Sequence, residues 1–111
     1  VAGFDAELMV LPKLLSEKLA SKLDINLKDI DIFEINEAFA SQAYAVEETL
    51  VLTKQVNIYG GGISIGHPIG ATGCVLTVKV LYELMRTDKK DAMISMCIGG
   101  GQGISMYFTK C

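Results

Sequence analysis

Residues 60–73, GGGISIGHPIGATG, set the only histidine of a 111-residue chain, His67, among glycines and a proline. A glycine loop of this kind either cradles a phosphate or holds an imidazole. The phosphate reading is weak. A P-loop needs a lysine and a hydroxyl after its last glycine, and a dinucleotide fingerprint needs G-x-G-x-x-G between strand and helix. Neither pattern is present here, and GGGQGISM fails as well because Met106 stands where the last glycine belongs. The imidazole reading has a physical basis. Pro68 pushes His67 towards extended backbone and suits the first position of a helix, which would set His67 at a helix N-terminus. There the positive end of the helix dipole disfavours imidazolium, leaving a neutral ring with one donor and one acceptor nitrogen. A capping or structural histidine is the alternative.

Two further residues occupy comparable junctions. Asn36 closes the apolar run Ile30, Ile32, Phe33 and Ile35, and its amide could orient a water or an oxyanion or simply cap a helix. Cys97 precedes Gly99, Gly100 and Gly101, whose backbone admits close approach and offers N–H donors, although a buried inert thiol has the same signature. Cys74 and Cys111 lack such a context and read as structural or incidental.

The elements needed to position these groups follow from periodicity. LPKLLSEKLASKL places Leu11, Leu14, Leu15, Leu19 and Leu23 on one helical face. The run ending at Asn36 reads as a buried strand that passes directly into a helix carrying Phe39, Ala43, Val46 and Leu50. A second long stripe, Ala71, Cys74, Val75, Val78, Leu81, Tyr82 and Met85, follows the glycine loop. Its first turn holds the small residues Gly70, Ala71 and Gly73, which would let another backbone approach closely. AMISMCI and ISMYFT read as strands joined by a glycine turn. The expected fold is α/β, and junctions at strand ends are where α/β folds gather ligands.

Composition narrows the function. Half the residues are hydrophobic and 21% are charged, so one folded domain is expected, and a net charge of −3 without a basic run argues against nucleic acid. Three dispersed cysteines form neither a disulfide framework nor a zinc site, which fits a reducing interior. No apolar run reaches membrane-spanning length, and VAGFDAELMV lacks the basic start of a secretory signal. Opening at Val1 rather than Met, the chain reads as a piece of something longer.

NEAFA (residues 36–40), GGGISIGHPIGATG (residues 60–73) and CIGGGQG (residues 97–103) together resemble the carboxyl-terminal half of a thiolase, an acetyl-CoA acetyltransferase. Order and intervals agree over nearly the whole chain. β-Ketoacyl synthases also use a G-H loop, but the three motifs together look like thiolase. The resemblance implies a thiolase-like half with a mixed sheet of about four to five strands and helices on both faces. It implies reversible condensation of two acetyl-CoA to acetoacetyl-CoA plus CoA, or thiolysis of a 3-ketoacyl-CoA, with coenzyme A thioesters as substrates and no resident cofactor or metal. By motif, Cys97 would be the acid/base for the α-proton. His67 and a water held by Asn36 would form the enolate oxyanion hole. The Gly99 N–H would serve a second oxyanion hole, and Ala38 and Phe39 would line the acyl pocket. His67 would also help activate the acylated nucleophile.

In that family the acylated cysteine and most of the CoA site lie in an amino-terminal half, so the resemblance implies that these residues alone do not turn over. The helix after His67 would pack on the amino-terminal half, or two copies would pair through it. One local departure is that Met9, Val10, Leu11 and Pro12 stand, shortened, where thiolases carry M-G-x-G-P, which bears on the pocket wall near Met9. The other functions to weigh are a 3-ketoacyl-CoA thiolase of fatty-acid degradation and a CoA- or acyl-binding domain without chemistry. A structural remnant with unused motifs is a further alternative. The expected compartment is the cytoplasm or an organelle such as the mitochondrion or peroxisome, with no membrane partner.

Overall fold

The computed structural model describes residues 2–4, 11–50 and 55–111. Strand β1 (Ala2–Phe4) and helix α1 (Leu11–Leu23) are followed by a 3-10 turn (Leu27–Asp29), strand β2 (Ile32–Ile35) and helix α2 (Ala40–Leu50). Then come β3 (Gln55–Val56), a short helix α3 (Gly62–Ile65), the long helix α4 (Thr72–Arg86) and the hairpin β4 (Asp91–Gly99) and β5 (Gln102–Thr109). The sheet has five strands in the order β1-β5-β4-β2-β3. β2 runs parallel to β3 and β4, while β5 is antiparallel to β4 and β1, so the sheet is mixed as expected.

β2 is buried along its whole length because both of its faces are covered. Alternation assigns the faces. Ile32 joins Ala92 and Ile94 against Leu76, Val80 and Leu84 of α4. Phe33, beside Met93 in register, turns the other way to meet Leu19 of α1 and Ile30. Ile35 meets Val46 and Leu50 of α2 on that same side. Helices therefore flank both faces of the sheet.

Beneath α1 the packing is polar. Ser16, Ser95 and Ser105 are fully buried. Ser16 Oγ and Ser95 Oγ both donate to the Pro12 carbonyl, at 2.7 and 3.1 Å, and the Ser95 and Ser105 hydroxyls lie 2.7 Å apart. These short side chains let α1 settle close to β4 and β5 without leaving a hydroxyl unpaired.

Several sequence expectations need correction. α1 buries Pro12, Leu15, Ser16, Leu19 and Ala20, whereas Leu14 and Leu23 are exposed, since only the ridge above β4 and β5 meets the sheet. α2 starts at Ala40 rather than directly after Asn36, and Phe39 is exposed in the intervening turn. The larger correction concerns α4. Its buried residues are Thr72, Leu76, Val80, Glu83 and Leu84, of which Leu76, Val80 and Leu84 pack on the sheet, while Cys74, Val78, Leu81, Tyr82 and Met85 of the expected stripe are exposed. Ala71 is also exposed and Val75 is half-buried. α4 is apolar on two sides, and the branched aliphatic side took the sheet. Met9, expected near the pocket wall, and Val10 lie outside the described residues, as do Val51, Leu52 and Thr53. Among the described residues no helix is long and apolar enough to cross a membrane.

Two consequences are measurable. Phe33→Ala should cost about 3–5 kcal/mol, read as a fall in the urea midpoint at unchanged slope. Tyr107 donates to Asp91 Oδ1 at 2.6 Å, and this bond to a carboxylate pushes the Tyr107 hydroxyl above its ordinary pKa. A raised folded value means that the stabilisation is complete below about pH 10 and fades as pH climbs through the folded value. Tyr107→Phe should therefore cost about 1 kcal/mol at neutral pH. The gap from wild type should close in strongly alkaline urea titrations, and a gap independent of pH would contradict the assignment.

Candidate active site

Asn36 follows the last residue of β2, and its backbone N–H continues the ladder by donating to the Ser95 carbonyl at 2.9 Å. Cys97 lies two residues beyond Ser95 on the neighbouring parallel strand β4, with a half-buried free thiol. Both residues thus stand at the carboxyl edge of adjacent parallel strands. The Asn36 side chain is buried, at 1% exposure. Among the described residues neither its amide nitrogen nor its oxygen has a hydrogen-bond partner. A buried amide left so costs about 1–3 kcal/mol per group. The Gln42 amide of α2 is in the same state, and what distinguishes Asn36 is its place at the strand edge beside Cys97.

The glycine loop is brought to this edge by Glu37. Asn57, in left-handed backbone at φ 47°, accepts from the Ile35 N–H and donates to the Ile35 carbonyl and to Glu37 Oε1, each at 2.9 Å. The other Glu37 oxygen accepts from the Ile63 N–H at 2.9 Å, in the first turn of α3. A Cβ on Gly61 would fall 2.4 Å from the Glu37 carboxyl carbon, and one on Gly62 would lie 2.8 Å from the Glu37 carbonyl oxygen. The glycines therefore admit an anion after all, and that anion is the protein's own carboxylate.

His67 leaves this loop next to Gly62, whose hypothetical Cβ would sit 3.6 Å from the His67 Cβ. It does not stand at the N-terminus of α4, because Pro68 does not take the first helical position as expected. Pro68 opens a turn in which its carbonyl accepts from the N–H groups of Ala71 and Thr72, and the helix begins at Thr72. His67 reaches that helix through its ring: Nδ1 lies 2.7 Å from Thr72 Oγ1, which in turn lies 3.1 Å from the Pro68 carbonyl. The Thr72 hydroxyl has one hydrogen, and both bonds form together only if it goes to Pro68 while Nδ1–H donates to Thr72. Assigned in this way from the network, Nε2 carries the lone pair. It can accept a proton and, once protonated, donate to developing negative charge.

Of the other expected site residues, Ala38 is half-buried and Phe39 is 58% exposed, both in the turn directly after Asn36. Gly99 closes β4 at φ 108°, past a break in the β4–β5 register between Cys97 and Gly99. The sequence reading missed Glu37, Asn57 and Thr72 as positioning groups. Glu37 and Thr72 lie inside motifs already singled out, whereas nothing local marks Asn57. A hollow of about 560 Å³ between the end of α1 and the following turn, near Asp24 and Lys28, contains none of these residues. A second, of about 430 Å³, lies between α4 and the sheet, walled by Gly73, Cys74, Val78, Ile94, Met96 and Met106.

Gly62→Ala should push the loop off the Glu37 backbone, cost about 1–3 kcal/mol and move the His67 ring resonances in an NMR spectrum. Gly70→Ala, with nothing within 4 Å of its added methyl, should leave those resonances in place. Equal responses from the two variants would refute the close-approach role of Gly62.

Residues 1–110 match the family model described as "Thiolase, C-terminal domain". The chain is 47% identical over 111 residues to beta-ketothiolase BktB of Cupriavidus necator, covering 98% of this chain and 28% of that protein. It is 41% identical to the 3-ketoacyl-CoA thiolase of Bacillus subtilis, covering 100% of this chain and 29% of the relative. The crystal structure of the Bacillus anthracis acetyl-CoA acetyltransferase superposes with a TM-score of 0.89 at 38% identity, over 97% of this chain and 28% of that one. The chain thus spans little more than a quarter of the length of the relatives it matches.

Proposed function

Because this chain belongs to the thiolase family, as its carboxyl-terminal domain, we propose that it supplies the acid/base and enolate-stabilising groups for reversible carbon–carbon bond formation between acetyl thioesters of coenzyme A. The observation that carries this reading is the buried, unpartnered amide of Asn36 at the edge that also presents Cys97 and receives the His67 loop.

In the condensing direction the Cys97 thiolate removes a proton from the acetyl-CoA methyl group. The electron pair moves onto the thioester oxygen. That oxygen meets a hydrogen bond from protonated His67 Nε2 and one from a water oriented by the Asn36 amide. Fixed donors at the developing charge are what make so weak a carbon acid usable. The enolate carbon then attacks an acetyl group carried on a second cysteine, contributed by the amino-terminal part of a complete thiolase. The tetrahedral oxyanion is met by the Gly99 N–H, and collapse expels that second thiolate to leave acetoacetyl-CoA. Ala38 and Phe39 border the acyl group. Thiolysis of a longer 3-ketoacyl-CoA is the same sequence reversed through the same groups. Relatives named for each activity occur at similar identity, so the shared chemistry is the better supported statement.

The outward face of α4, with Val78, Leu81, Tyr82 and Met85 exposed, is an apolar patch of the kind that marks an interface. In a complete enzyme it packs on the amino-terminal part, and in isolation two copies of this domain pair through it.

In a complete thiolase carrying this domain, Cys97→Ala and His67→Ala should each lower kcat by about 10²–10⁴. Asn36→Ala should cost about 10²–10³, as the loss of one oxyanion donor does. Cys97→Ala should also abolish exchange of the acetyl-CoA methyl protons in D2O. Wild-type exchange by that variant would sink the assignment. The 111 residues alone should give no thiolysis of acetoacetyl-CoA.

A further inference from the structure

Lys79 projects from α4 towards the glycine loop, two turns beyond Thr72. Its ammonium donates to the Gly60 carbonyl at 2.6 Å and pairs with the Glu34 carboxylate. Glu34 lies on β2 with its side chain 2% exposed, and Lys79 is 14% exposed, so both charges are held largely out of water. Burial pushes the Glu34 carboxyl above its ordinary value, and the hydrogen bond and charge of Lys79 oppose that push. A pair in this setting confers little net stability compared with well-packed apolar side chains. Stability alone is therefore a poor reason for its presence.

Its geometry offers a better one. The loop is fastened at three places: at its start by Lys79 on the Gly60 carbonyl, in its middle by Glu37 on the Ile63 N–H, and at its end by Thr72 on His67. Gly60 sits at φ 78° and closes a turn whose N–H donates to the Asn57 carbonyl at 2.8 Å. Glycine-rich backbone has many alternative conformations, so each fastening removes freedom that would otherwise spread to the histidine.

We infer that Lys79, held in place by Glu34, is a positioning residue that fixes the glycine loop through the Gly60 carbonyl and thereby sets where the His67 imidazole stands. The inference rests on the proposed role of His67 in meeting the enolate oxygen. A displacement of about 1 Å in such a group can cost about a hundredfold in rate. Loss of the brace acts on the transition state, because the resemblance implies that most of the coenzyme A site lies in the amino-terminal part of a complete thiolase.

The test uses a complete thiolase carrying this domain. Lys79→Met should lower kcat about tenfold or more while KM for the thioester changes less than about twofold. Because that variant leaves Glu34 buried and unpaired, Glu34→Leu combined with Lys79→Met supplies an apolar pair and should restore the thermal midpoint but not kcat. Lys79→Arg, which keeps the charge and a donor, should recover most of kcat. A double variant with wild-type kcat per folded molecule, or a Lys79→Met effect confined to KM or to the melting temperature, would overturn the inference. His67→Ala measured in parallel separates the two levels. Wild-type kcat in His67→Ala would sink the catalytic reading itself. Loss of kcat in His67→Ala with none in the double variant would sink only the brace.

Discussion

Glu37 occupies the space that side chains at residues 61 and 62 would need, with its carboxylate at the first and its backbone carbonyl at the second, and much of the site depends on this single close approach. It joins the end of β2 to a loop more than 20 residues further along the chain, with Asn57 as the second tie. Asn36 and Glu37 are consecutive, so whatever fixes the carboxylate also fixes the amide beside it. The coupling runs both ways: the loop cannot approach without glycine, and the carboxylate would be left without its N–H partner if the loop withdrew. A negative side chain at the start of a short helical turn is also the favourable sign for the local dipole.

α4 is the second organising element because it serves three surfaces at once. Its Leu76, Val80 and Leu84 seal one face of the sheet, its first residue takes the histidine ring, and its outer side carries Val78, Leu81, Tyr82 and Met85. A helix apolar on both sides belongs between layers rather than at a surface. The relatives this domain matches are several times its length.

Much of this was legible in the residues. The run ending at Asn36 is rich in branched apolar side chains, the run through Cys97 is apolar but for Ser95, and each stops at a polar or glycine residue, so their strands and the junction positions could be read directly. The glycine loop declared itself by composition, but its true occupant did not, because a carboxylate in NEAFA gives no sign of where it will point. The register of α4 was misread for a physical reason: periodicity reports apolar residues, and here they lie on two sides, so only the sheet could decide between them. The buried serines under α1 and the turn that delays α4 to Thr72 were equally hidden, the first because serine reads as surface, the second because Pro68 fits a helix start and a turn alike. β1 and β3 are two or three residues long and depend on their neighbours for definition.

The hairpin between β4 and β5 carries a quieter constraint. Gly99, Gly100 and Gly101 have φ of 108°, 58° and 68°, although a methyl on Gly99 or Gly100 would meet nothing within 4 Å. Torsion, rather than crowding, disfavours other residues there, at about 1–2 kcal/mol for each L side chain forced into such backbone. Every missense change in a glycine codon introduces an L side chain, so each carries a stability cost at this open, solvent-facing corner that no inspection of free volume would reveal.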